Sequence, residues 1–195
     1  NHISLSFVAK KRFEDHAEES MMILRPQEND TLEDFSRKIL GDVHMARKEG
    51  ASYGSDGALN LLKKLPKPLM MLFMWGLRRL DEHGWMPHSL YNVDPNQTTV
   101  LLSNLGSIHC DAVYHHLNNF GTNSIIITLG QIHRERKIQE DGSEQVVSLL
   151  PLGITLDERI ADGFYFARSF KLLPYLFQNP VLLEKPLKEE LHFAY

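Results

Sequence analysis

Two β-prone runs flank one Asp-Gly step, and no other feature constrains the fold of this chain so tightly. SIIITLGQIHRERKIQ (124–139) and SEQVVSLLPLGITLDE (143–158) stand on either side of Asp141-Gly142. Asp-Gly supplies the positive φ that tight hairpin turns need, so the two runs are expected as antiparallel neighbours. Ile3, Leu5 and Phe7 alternate in ISLSFV (3–8) and predict a half-buried strand; MMILRP (21–26) predicts another, ended by Pro26. TTVLLSNLGS (98–107) has strand character up to a glycine bend, and irregular chain is expected from there to Asn123.

Helices fill the intervals. Asp30 or Thr31 can cap a helix that leaves at Gly50, with Asp34 closing a capping box on Thr31. Its buried face is expected to be Leu32, Phe35, Ile39, Val43 and Ala46. A second helical region is predicted from Ala58 to Glu82, broken by Pro66 and Pro68. Its later half is apolar almost all round, which implies deep burial or docking on a partner. WMPHSLYNVDPNQ (85–97) reads as a loop. A closing helix over 162–178 carries the stripe Phe166, Phe170, Leu173 and Phe177, with Pro174 as a potential kink. Pro180 and Pro186 are expected to end regular structure.

Strands, helices, more strands with a hairpin and a closing helix predict one α+β domain over 1–195, with helices packed on one side of a mixed, largely antiparallel sheet. A net charge of −4 with no run of like charges gives no pull toward nucleic acid. LMMLFMWGL (69–77) is the most apolar stretch, far short of the roughly 20 residues a bilayer span needs. The single cysteine, Cys110, excludes an internal disulfide and fits a reducing, cytoplasmic compartment. It is expected to be small and semi-buried, with no visible partner to activate it as a nucleophile. The chain starts inside strand-like alternation, so a preceding N-terminal segment is expected.

Nucleotide-loop, dinucleotide, zincin and Cys-x-x-Cys signatures are absent. Ten histidines raise a metal hypothesis, but adjacent ones such as His115 and His116 diverge on either a strand or a helix, so no metal site is expected. Two segments remain. One is Asp157-Glu158-Arg159-Ile160-Ala161-Asp162-Gly163; the other, about fifty residues earlier, is Ser103-Asn104-Leu105-Gly106.

This pair resembles the catalytic domain of dihydrolipoamide acyltransferases, the core enzymes of 2-oxo acid dehydrogenase complexes, similar in fold to chloramphenicol acetyltransferase. The resemblance is good over 98–186, fair over 3–50 and poor over 51–97. It implies a two-layer sandwich, a homotrimer with sites between subunits, and coenzyme A or acyl-CoA as substrate with no metal. It also implies roles: Ser103 as the hydroxyl that stabilises an oxyanion, Asn104 and Gly106 in the cofactor-binding strand, and Asp157, Arg159, Asp162 and Gly163 as the corner that holds the site. From the residues alone, Ser103 can equally be a strand-end serine bonded to backbone.

The resemblance breaks at one position. Where the family has its catalytic histidine, this chain has Glu158. A thiol with pKa about 8.5 lies roughly 2 units above a typical histidine and about 4 above a typical glutamate. Proton transfer to a glutamate is then uphill by about 6 kcal/mol instead of about 3. Three readings follow: a carboxyl retuned by burial, a substitute with no proton role, or a base moved to His115 or His116 in DAVYHHLNNFG (111–121), with His109 and Tyr114 nearby. The function expected is therefore a CoA-dependent acyltransferase with an altered or absent general base, acting on an unknown acceptor. The alternative is an inactive trimeric scaffold that binds CoA or a partner.

LPKPLMMLFMWGLRRL (65–80) falls where the resemblance is weakest. It reads as core or oligomer contact. The sharper alternatives are a lining for a long acyl chain or lipid acceptor, or a membrane-surface contact flanked by Lys63, Lys64, Lys67, Arg78 and Arg79.

Overall fold

A computed structural model describes residues 3–10, 19–48, 64–189 and 193. Its centre is a five-stranded sheet in the order β2-β1-β3-β4-β7, made of β1 (Leu5–Lys10), β2 (Glu19–Leu24), β3 (Val100–Asn104), β4 (Ile125–Leu129) and β7 (Leu152–Leu156). β1 pairs antiparallel with β2, β3 runs parallel to both β1 and β4, and β4 pairs antiparallel with β7. The sheet is thus mixed.

The expected hairpin is present, but each run divides in two. Beyond β4 and β7 the ribbon continues as β5 (His133–Ile138) and β6 (Glu144–Leu149), which among the described residues pair only with each other. The division falls at Gly130 and Pro151, whose backbone N–H and carbonyl meet at 2.9 Å. Proline has no N–H to give a ladder, so pairing changes there. At the turn Gly142 takes φ of 80° and the Asp141 carboxylate accepts from the Ser143 N–H, as the Asp-Gly step requires.

Helix α1 (Leu32–Ala46) starts at the expected capping box: the Asp34 N–H donates to Thr31 Oγ1, and the Thr31 N–H donates to the Asp34 carboxylate. Phe35, Ile39, Val43 and Ala46 pack on Phe7, Ala9, Met22 and Leu24 to form the core. Leu32 is exposed, against expectation. Periodicity gives a residue its face but does not say where along the helix axis the sheet stops. Ile3 is likewise exposed, because it precedes the first strand residue, Leu5. Gly50, Lys63 and the start of the second helical region at 58–63 lie outside the described residues.

The sheet face opposite α1 is not solvated, as a half-buried strand would leave it. Ser6 and Thr128 are fully buried there, and Thr98 is buried beside Ser6. Thr98 Oγ1 lies 2.8 Å from Ser6 Oγ, Asn123 Oδ1 and the Pro95 carbonyl. Replacing it with the isosteric valine leaves those groups buried and short of a partner, which costs about 1–3 kcal/mol. Thr98→Val is expected to lower the urea midpoint with no change in slope; an unchanged midpoint would show that this network contributes no stability.

Helix α2 (Lys67–Glu82) begins at Pro66, so the two prolines open it instead of breaking it. None of its residues is buried, and Met71 and Trp75 are 69% and 60% exposed. Within one chain the expected deep burial does not occur. The helix is fixed at its end, where Asp81 accepts from Gln97 Nε2 and from the Gly121 N–H, both at 2.8 Å. The predicted loop at 85–97 holds one helical turn, α3 (His88–Tyr91), and a 3-10 turn at Pro95–Gln97. The closing helix divides at Lys171 into α4 (Gly163–Phe170) and α5 (Leu172–Gln178). Phe166 is buried as expected, but Phe177, beyond the break, is exposed. Cys110 is exposed too, not semi-buried. No helix among the described residues is long and apolar enough to cross a membrane.

Candidate functional site at the end of strand β7

The charged corner is built from β7 outward. The Asp157 N–H ties the strand end to the Ser124 carbonyl at 2.9 Å, and its carboxylate then turns the chain. Arg159 donates to it from its side chain, Nε to Oδ1 at 2.8 Å and to Oδ2 at 3.0 Å and Nη2 to Oδ2 at 2.6 Å, and from its backbone N–H to Oδ1 at 3.0 Å. Such a bidentate pair fixes both position and orientation. Asp162 caps α4, accepting from the Tyr165 N–H at 2.8 Å. Asp157, Arg159 and Asp162 are therefore structural groups of the corner.

The Arg159 hydrogen bonds hold the Asp157 carboxyl below the usual carboxylate range. A depressed folded-state pKa adds stability that is present above the unfolded value, about 3.9, and is lost as pH falls through the folded value. Asp157→Asn is expected to remove that acid-side loss, so the urea midpoints of parent and variant should converge below pH ~4. Parallel curves through that window would overturn the assignment.

The corner presents Glu158 to an open cavity of about 440 Å³, lined by Tyr114, Ile154, Thr155, Leu156, Gly163, Phe166, Ala167 and Phe170 beside Glu158 itself. That volume falls within the range of small-molecule sites. Glu158 is exposed, so this chain alone does not bury its carboxyl. It makes no hydrogen bond or ion pair among the described residues, because the neighbouring guanidinium of Arg159 is held by Asp157.

Tyr114 reaches the cavity because the stretch 110–114 lies flat on the sheet. Thr128 Oγ1 donates to the Val113 carbonyl at 2.6 Å, and the Gln131 N–H donates to the Cys110 carbonyl. Gly130 and Gly153 make room: a Cβ on Gly153 would stand 2.6 Å from the Val113 carbonyl oxygen, and one on Gly130 would collide with the Ala112 backbone. The sequence reading took both runs as continuous through Gly130 and Gly153 and did not foresee this platform, since the segment the glycines admit is irregular.

The other sequence candidates lie elsewhere. Ser103 is half-buried on β3, two strands in from β7 and in register with Thr128, on the face opposite α1. Asn104 uses its side-chain oxygen to accept from the Ser107 N–H at 3.2 Å, while Gly106 passes so close to Gly130 that a Cβ would stand 2.6 Å from its carbonyl oxygen. His115 and His116 are exposed and do not line the cavity, although they follow Tyr114 directly. The sequence reading missed Ile154, Leu156 and Phe170 as cavity walls, because alternation and helical stripes mark apolar faces without saying which are left open. Among the described residues no cluster of three or more potential metal ligands occurs.

The family described as 2-oxoacid dehydrogenases acyltransferase (catalytic domain) matches residues 87–184, just over half the chain. The chain belongs to this acyltransferase family. The matched segment of this acyltransferase-family chain includes β3 to β7, the corner and the closing helices, and excludes α2. Solved structures agree on the fold. The cubic core of the pyruvate dehydrogenase multienzyme complex aligns over 93% of this chain and 56% of its own at 15% identity, with a TM-score of 0.58. The dihydrolipoamide acetyltransferase of Azotobacter vinelandii, studied for the role of a serine, a histidine and an asparagine in its catalytic mechanism, aligns over 93% and 56% at 13% identity and a TM-score of 0.57. A probable dihydrolipoamide acetyltransferase from Listeria monocytogenes aligns over 100% and 60% at 12% identity and a TM-score of 0.56. This acyltransferase-family chain thus spans less than two thirds of their lengths. A search of curated proteins by sequence finds no match.

Proposed function

We propose that this protein transfers an acyl group from acyl-CoA to an acceptor held in the cavity at Glu158, with Glu158 as general base. The observation that carries this is placement: the residue at the family's histidine position opens, without a partner among the described residues, into an apolar cavity. The acceptor gives its proton to the Glu158 carboxylate as its lone pair bonds the thioester carbonyl carbon. The resulting oxyanion needs a hydrogen-bond donor, typically worth about 3 kcal/mol. Collapse breaks the C–S bond, and the CoA thiolate recovers the proton.

Ser103 would be that donor, but it lies across the sheet from the cavity of its own chain. We therefore propose a homotrimer in which Ser103 of one protomer meets Glu158 of the next. An exposed single cysteine agrees with a cytoplasmic setting. A second reading, a trimeric CoA- or partner-binding scaffold without turnover, draws on one observation: within a single chain neither Ser103 nor either histidine lines the cavity.

Thiol release from short- and long-chain acyl-CoAs, offered alcohol, amine and dihydrolipoamide acceptors, tests the proposal against a heat-denatured control. Release above background supports acyl transfer. CoA binding without release favours the scaffold. A monomer at micromolar concentration by light scattering would sink the shared site.

A further inference from the structure

We infer that the cavity at the end of β7 is a binding site for an organic ammonium ion carrying an apolar chain. Its described walls are the aliphatic Ile154, Leu156 and Ala167, the hydroxyl-bearing Thr155 and the rings of Tyr114, Phe166 and Phe170, and Glu158 is the one acidic group among them. No cation is among the described lining residues, and the nearest in sequence, Arg159, is bound twice over by Asp157.

Each part of this lining selects. A carboxylate with no facing cation repels anionic ligands, and a neutral alcohol leaves its charge uncompensated. An ammonium group supplies both donors and opposite charge, and ring faces attract cations. The aliphatic walls gain by covering an alkyl chain, whereas a bare inorganic cation would leave them wet. The Tyr114 ring is 80% exposed, so it remains available to a ligand.

This deepens the acyl-transfer reading by naming the acceptor class, and only that role rests on it; binding itself does not. As acceptor, the ammonium first loses one proton to solvent. The amine lone pair then forms the C–N bond, and the C–S electrons leave with sulfur. The second N–H proton passes through Glu158 to the thiolate, giving an amide and a free thiol.

Calorimetry on the full chain with hexylammonium, 1-hexanol and hexanoate as probes decides the matter. Hexylammonium is expected to bind at least about tenfold tighter than 1-hexanol, with hexanoate weakest. Glu158→Gln should erase the preference, and Glu158→Lys should move it to hexanoate. Equal affinity for hexylammonium and 1-hexanol, a preference that survives Glu158→Gln, or no binding of any probe would each overturn the inference. So would loss of binding at the concentration where light scattering reports a trimer, since a second copy would then fill the cavity. Thiol release in the same preparations separates the two readings. Ammonium binding without release overturns acyl transfer alone, and release without ammonium preference overturns the ammonium site alone.

Discussion

Glu158→Gln is expected to lower acyl-transfer turnover by about a hundredfold or more, because a positioned general base contributes typically 10²–10⁴. That is about 3 kcal/mol of transition-state stabilisation at the lower end. The substitution keeps shape and hydrogen-bonding capacity while removing the proton acceptor, and Glu158 is exposed and bonded to nothing else among the described residues. Stability should therefore be unchanged, and a urea midpoint measured alongside the thiol-release assay confirms that the loss is chemical. Unaltered turnover would remove Glu158 from the mechanism. If His115→Ala or His116→Ala then abolished release, the base would belong to the 110–116 segment, in which Tyr114 already lines the cavity.

Gly153→Ala is expected to destabilise the protein by about 3 kcal/mol, the upper range of overpacking. The added methyl would stand 2.5 Å from Thr128 Oγ1 and 2.6 Å from the Val113 carbonyl oxygen. One of these is backbone and the other already holds that carbonyl, so neither can retreat without releasing the 110–114 segment. Tyr114 should leave the cavity with it, and the variant should lose ligand binding as well as stability. By contrast, Gly142→Ala in the hairpin turn meets nothing within 4 Å, and its strain is confined to the positive φ. A Gly153→Ala protein with the parent's urea midpoint would mean that this segment does not seat on the sheet as described.

Much of the fold follows from local chemistry that a reader of the chain can apply. The capping box of Thr31 and Asp34, the Asp141-Gly142 turn and the Asp162 cap all appear where their spacing implies, since each is settled by atoms a few residues apart. The corner at Asp157 and Arg159 is equally local, and for the same reason it is a salt-bridged bend before it is anything else. The resemblance carried by this corner and by Ser103 to Gly106 is matched by the family assignment over 87–184.

Other features depend on contacts between distant segments, which no local pattern contains. Alternation put Ile3 on the apolar face, and helical spacing did the same for Leu32 and Phe177, yet all three are exposed. Small hydroxyl residues mark an apparently solvated strand face, but Ser6 and Thr98, ninety-two positions apart, bury each other. Whether α2 is covered depends on what packs against it, and its composition alone cannot supply that. The amino-acid sequence by itself determined the hairpin turn, the caps and the resemblance that the family match bears out. Only the tertiary structure decided that Glu158 lines a largely apolar cavity while Arg159 is held by Asp157 and does not line it. That outcome depends on the order of the strands and on two glycines that let an irregular segment lie against the sheet.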